Sequence, residues 1–326
     1  MKHTRHLNRF ATLAIIPLVA VGLFFALRAN ENSRGATFDG SGLVVVANLR
    51  DESLTFFDYD SGLQHEVPLA GPPHEMVAAG DRLFVTLGRS DAIAQVNVAT
   101  REVERYLVLA GVPHGIATDG ANLYVTLDAA DELVVLDLET LAEHSRRPTG
   151  ATPHAVAVVG STAFVTNARD ETISALGAGI ETREAGELPE SIAILEGRLV
   201  VAGNAGDGSL SLYSLPGLAA LGQVEVGGRP VRVTGVGGTL LVSDGQLGRL
   251  LILEPAEGGL EVIERVVVGR LADGICASPD GRWVGATANG DNLLVIIDAE
   301  RWAPSADFPT ADGPGACLWL EKPSGS

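Results

Sequence analysis

Between residues 41 and 320 one unit recurs roughly every 40 residues, and no other feature of the sequence narrows the fold so far. Its anchor falls at Pro73, Pro113, Pro153, Pro189, Pro230, Ala272 and Gly313, with spacings of 40, 40, 36, 41, 42 and 41 residues. That period is too long for a hairpin and matches four short strands. The third copy displays them in order: GVPHGIAT (111–118), ANLYVTL (121–127), ELVVLDL (132–138) and HSRRPTG (144–150), parted by turn residues at Asp119-Gly120, Ala130-Asp131 and Glu139-Thr140. The second strand returns as LVVVAN, RLFVTL, TAFVTN, RLVVAG, TLLVSD and RWVGAT, and the third as SLTFFDYD, AIAQVNV, ETISAL, SLSLYSL, RLLILE and NLLVIID. Several third strands stop at an acid or amide, as at Asp58, Asn97, Asp137 and Asp298. Seven copies of a four-stranded unit specify an all-β fold, a seven-bladed β-propeller of four-stranded antiparallel blades.

The chain ends complete each other. Residues 41–68 supply three outer strands with no innermost strand, whereas GPGACLWL (313–320) supplies an innermost strand with nothing after it. Pairing them closes the ring and removes two open edges.

Ahead of the repeats, a basic decapeptide leads into 17 uncharged residues from Ala11 to Leu27. This is long for a signal-peptide core and poor in cleavage context, since Phe24 and Leu27 stand where small residues are needed. The expectation is an N-terminal hydrophobic helix that anchors the chain uncleaved, with Lys2, Arg5 and Arg9 in the cytoplasm and the repeats outside, or a secreted protein if it is removed. The division expected is therefore a cytoplasmic tip and membrane segment at 1–29, a polar tether at 30–40, the propeller at 41–321 and a tail at 322–326.

The formal net charge is −18, and because residues 1–34 are basic overall, residues 35–326 carry −22. Such a surface repels phosphate backbones, which argues against nucleic acid as a partner. The only cysteines, Cys276 and Cys317, occupy one place in adjacent copies where the others carry Val77, Ala117, Ala157, Ala193 and Thr234. The expectation is two small buried free thiols, on the view that equivalent positions in neighbouring blades stand too far apart for a bridge.

The strings LYVTL, LFVTL, FVTN and LVVVAN, with a Gly-x-Pro lead-in, a short acidic turn and a hydrophobic-Asp strand, resemble the YVTN family of bacterial β-propeller repeats, within the quinoprotein amine dehydrogenase-like superfamily. The resemblance spans about residues 41–320 and implies an exported propeller used for binding or as a surface component. In it only Asn48 and Asn167 keep the family asparagine, and the fifth and sixth copies diverge.

Position two of the lead-in reads His74, His114 and His154 in consecutive copies, then Glu190, Val231, Asp273 and Pro314. Innermost strands converge on the central channel, so His74, His114, His154, Glu190 and Asp273 form a candidate set for a divalent metal, zinc or copper. It is similar to the inner-strand histidines of peptide-amidating lyases. The alternative is that Pro-His was duplicated with the copy, each imidazole capping a turn or packing on its neighbour. Asp51, Asp91, Asp131 and Asp170 read as turn formers rather than calcium ligands. No catalytic signature is present: neither G-x-S-x-G, H-E-x-x-H, a phosphate loop nor C-x-x-C occurs. The leading expectation is an extracytoplasmic binding module of the cell envelope for a protein, peptide or glycan. The alternative is a metal-dependent lyase-like or quinoprotein-like enzyme built on the histidines.

Overall fold

The computed structural model describes residues 37–321. The expected membrane segment, most of the tether and the tail lie outside them, and among the described residues no helix is long and apolar enough to cross a membrane. Seven four-stranded antiparallel sheets are present, six of them built in chain order from the innermost strand outward. Blade 3, for example, runs Pro113–Thr118, Asn122–Leu127, Glu132–Asp137 and Glu143–Pro148.

Blade 1 is composite. Pro314–Leu320 pairs with Leu43–Asn48, matching Leu43 to Leu320 and Val46 to Cys317, so the last strand supplies the innermost position of the first blade. The ring closes as the unfinished ends require, and residues separated by most of the chain share one sheet.

Burial follows strand position. Second strands such as LVVVAN are buried along their length, because both faces pack against neighbouring blades; they read as continuous apolar runs rather than alternations. Fourth strands such as EHSRRP face water and are polar. The core is therefore a set of slabs between blades: Val45, Leu54 and Phe56 of blade 1 meet Leu83, Val85 and Val96 of blade 2, and the pattern repeats round the ring. Truncating one such leucine to alanine costs about 2–5 kcal/mol.

The repeated polar residues serve local needs. Asp137 Oδ1 accepts the N–H groups of Glu139 (3.2 Å) and Thr140 (2.7 Å), and Asn97 Oδ1 those of Ala99 and Thr100 (3.0 Å each). These side chains close the turn that the third strand ends on. The buried amides of Asn48 and Asn167 each donate to two hydroxyls on the third strand, from Asn167 to Thr172 Oγ1 (3.0 Å) and Ser174 Oγ (2.9 Å). A third asparagine does the same: Asn204 donates to Ser209 and Ser211 Oγ at 2.9 Å and pairs with Pro189 as Asn167 pairs with Pro153. The expectation of two such asparagines was thus one short, because glycine at 203 disguises the strand end.

The cysteine expectation is overturned. Cys276 and Cys317 form a disulfide, with Cα atoms 5.5 Å apart. The assumed spacing fails because innermost strands crowd near the axis, where adjacent blades touch backbone to backbone: a Cβ on Gly274 would collide with the Gly315 carbonyl. The bond joins blade 7 to the closing strand of blade 1.

The end of the expected tether also belongs to the propeller. Phe38 sits edge-on to Tyr59 (4.7 Å between ring centroids) and Trp283 (5.2 Å), beside Phe308 and Trp319, and Asp39 pairs with Arg282 at 3.0 Å. This aromatic cluster covers the same junction between blades 7 and 1 that the disulfide joins.

Candidate functional site at the channel mouth

Chain direction places the start of every innermost strand at one end of the channel, together with the turns between second and third strands. Those turns reach the lead-ins directly. Asp91 Oδ1 accepts the N–H groups of Gly111 (3.1 Å) and Val112 (2.9 Å), and Asp131 Oδ1 accepts that of Thr152 (2.9 Å). Val112, Thr152, Leu188 and Leu271, each just before its anchor, have φ of 60°, 57°, 49° and 54°. A left-handed conformation costs an L-residue with a side chain about 1–2 kcal/mol, and the aspartates offset it by fixing the loop. The acidic turns are formers, as expected, and they also buttress the mouth.

A hydroxyl on the second strand then stitches blade to blade. Thr126 Oγ1 accepts the Gly115 N–H (2.8 Å) and donates to the His154 carbonyl of the next blade (3.0 Å). Thr86 does the same between Glu75 N–H (3.0 Å) and His114 O (2.7 Å), and Thr287 between Gly274 N–H (2.7 Å) and Gly315 O (2.9 Å). The threonine of the V-T repeat is thus an inter-blade staple.

On this frame His74, His114 and His154 form a row of tilted rings. Neighbouring centroids are 3.8 Å apart and the outer two 6.4 Å. His114 Nδ1 lies 3.1 Å from the His154 carbonyl and His154 Nδ1 lies 2.7 Å from the Glu190 carbonyl. A carbonyl only accepts, so both Nδ1 atoms carry the hydrogen and the neutral rings keep their lone pairs on Nε2. Burial, reinforced by the neighbouring imidazoles, pushes His114 well below the ordinary histidine value, and burial together with His74 brings His154 down to about 4. Both are neutral at pH 7. His74 Nδ1 stands 3.9 Å from Glu75 Oε1, too long for a hydrogen bond, and is buried without a partner among the described residues.

The carboxylates of Glu190 and Asp273 are engaged by arginines. The Arg229 guanidinium lies 3.0 Å from both oxygens of Glu190, and Arg232 Nη2 lies 3.2 Å from Asp273 Oδ1. Among the described residues, no group of three or more His, Cys, Asp or Glu is placed to hold a metal ion. The structure therefore brings the three histidines together and joins the two carboxylates to arginines instead.

The pair that sequence reading missed lies one place further in. Arg232 Nη1 of blade 6 meets Glu75 Oε1 and Oε2 of blade 2 across the channel, at 2.7 Å each. Burial alone would raise the Glu75 carboxyl, but Arg232 and then His74 outweigh it and hold it well below the carboxylate range. The equivalent places are Gly115, Ala155, Ser191, Gly274 and Gly315, as a crowded axis requires. A lone glutamate and a lone arginine where every other copy is small was the available signal. Below them, Glu75, His154, Glu190, Ser191 and Arg232 line a cavity of about 160 Å³. A larger cavity, about 620 Å³, lies at the opposite end between blades 4 and 5, beside Phe164, Gly179 and Pro216, and has no part in the mouth.

No protein-family model matches the chain, and no curated protein is similar to it in sequence. Solved structures are similar in fold. A functionally unknown protein from Desulfotomaculum acetoxidans superposes with TM-score 0.76 at 11% identity, covering 86% of this chain and 100% of its own. A Bacteroides fragilis protein described as a candidate 6-phosphogluconolactonase gives 0.71 at 13%, covering 88% and 100%. A streptogramin B lyase gives 0.64 at 12%, covering 77% and 92%. At such identities the likeness extends to the seven-bladed propeller and no further.

Proposed function

We propose that this chain is an extracytoplasmic propeller, tethered to the membrane by its N-terminal segment or secreted, that binds a peptide, protein or glycan partner at the histidine end of its channel. Membership of the YVTN-type repeat family is part of this reading, and the V-T staple and the three buried asparagines support it. The observation that carries the reading is the Cys276–Cys317 disulfide, buried and spanning the ring closure. Disulfides persist in oxidising compartments and are rare where cytosolic thiol buffers operate. A binding role is supported by the mouth, where strained, aspartate-fixed loops surround a rigid ring of inner strands.

The test quenches cells of the native host in acid, blocks free thiols, then reduces and counts newly exposed ones. Both cysteines protected before reduction, with the propeller open to protease added outside the cytoplasmic membrane, is the expected result. Free thiols in a protease-shielded chain would sink the reading.

A second reading is a metal-dependent enzyme. It is supported by the two Nδ1 atoms anchored on carbonyls, since metal-binding histidines commonly donate one ring N–H and ligate through the other nitrogen. Metal content of the purified protein, compared with that of His114→Ala, separates the two readings.

A further inference from the structure

The two inner histidines of the mouth offer a ligand acceptors rather than donors. His114 and His154 use their ring N–H groups on carbonyls, which leaves the Nε2 lone pair of each without a donor from the described residues. His114 is only 7% exposed, yet its remaining polar atom meets no protein donor among the described contacts. Arg229 pairs with Glu190, and Arg232 pairs with Glu75 and Asp273 while its Nε is buried without a partner among the described residues; Arg169 stands within electrostatic range of Asp128. Asp128, in the turn after the second strand of blade 3, lies within electrostatic range of His74 and adds a half-buried carboxyl. No lysine occurs between residues 37 and 321, and residues 35–326 carry a formal net charge of −22.

Imidazole lone pairs beside a half-buried carboxyl suit a group that brings both hydrogens and positive charge. We propose that the mouth binds a primary ammonium group, presented by a lysine side chain or by the amino terminus of a peptide. The inference rests on the binding reading above and names its ligand class. Spacing favours it over a metal. Zinc needs its nitrogens about 2.1 Å from one point, and among the described residues no group of three or more His, Cys, Asp or Glu is placed to provide that, whereas ammonium reaches acceptors about 2.9 Å away. Three N–H donors directed to imidazole nitrogens and a carboxylate are charge-assisted hydrogen bonds, the stronger class.

The experiment titrates the full-length chain in detergent micelles by calorimetry with four probes: acetyl-alanyl-lysyl-alanine amide, trialanine amide with a free amino terminus, fully capped acetyl-trialanine amide, and zinc chloride. Saturable binding of an amine-bearing peptide and none of the capped one is expected; which peptide binds identifies side chain or terminus. His154→Leu should weaken that binding at least about tenfold, and Asp128→Asn, which keeps shape and removes charge, about threefold, in variants that melt cooperatively. Equal binding of the capped peptide, no peptide binding at millimolar concentration, His154-dependent uptake of zinc alone, or unchanged affinity in both folded variants would each overturn the proposal. None of these outcomes bears on the compartment, which the thiol measurement decides separately.

Discussion

Two arcs of the inner ring start from the same repeat and are held by different forces. In blades 2 to 4 the residue after the lead-in proline is histidine three times, and the arc is held by close-packed tilted rings and imidazole-to-carbonyl bonds passed from blade to blade. In blades 6, 7 and 1 the same ring carries Arg232, Asp273 and the Cys276–Cys317 bond, so charge and a covalent link replace repetition. The second arc contains the closure, where the chain's two ends meet and the backbone alone provides no continuity. Arg232 reaches over the channel to Glu75 beside the histidines, so the arcs are also tied to each other. Repetition suffices where the polypeptide is continuous; reinforcement gathers where it is not.

The two arcs respond differently to substitution. Deleting residues 314–326 removes the innermost strand of blade 1 and should abolish cooperative thermal unfolding of the propeller; a melt like that of the intact chain would discredit closure by strand pairing. Reducing the disulfide, or Cys276→Ser with Cys317→Ser, releases a loop of 41-residue separation and should cost about 4 kcal/mol in denaturant titration. Arg232→Met leaves Glu75 and Asp273 without their cation and should cost about 3–5 kcal/mol, of which Glu75→Gln in the same chain returns part. If the double variant is no more stable than the single, the cross-channel pair is not what ties the arcs.

Acid should separate the arcs as well. Glu75 is held below its unfolded value, so its contribution is present above the unfolded carboxyl pKa and is lost as pH falls toward the folded one. His154 is lowered from 6.5 to about 4. Between those values the unfolded chain binds the extra proton, so stability should fall as pH drops from about 6.5 to 4, by up to about 3 kcal/mol. His154→Gln should reduce that slope, His114 supplying the remainder, while leaving the carboxylate-dependent loss at lower pH; an unchanged slope would mean the His154 ring is not held neutral. The smallest effect expected is for Thr126→Val, which removes one staple and leaves the Gly115 N–H and His154 carbonyl short of a partner, at about 1–2 kcal/mol.

The number of blades, their strand order and the closure were legible because each follows from local pattern repeated seven times. Strand length, turn residues and apolar runs are set by near neighbours, and Pro113 to Thr118 carries the same instructions wherever its blade lies. The histidines were legible as a ring position for the same reason. Glu75 and Arg232 were readable only as misfits in a column of small residues, since 157 positions separate partners that meet across a channel. The disulfide was misread because blade-to-blade distance depends on radius: the spacing is wide at the rim and small enough at the axis for Cα atoms to stand 5.5 Å apart. Sequence alone thus determined the repeating unit and its closure, which are matters of local propensity and periodicity. Tertiary structure alone decided which side chains share the axis, because convergence on one line is a property of the closed ring and of no single blade.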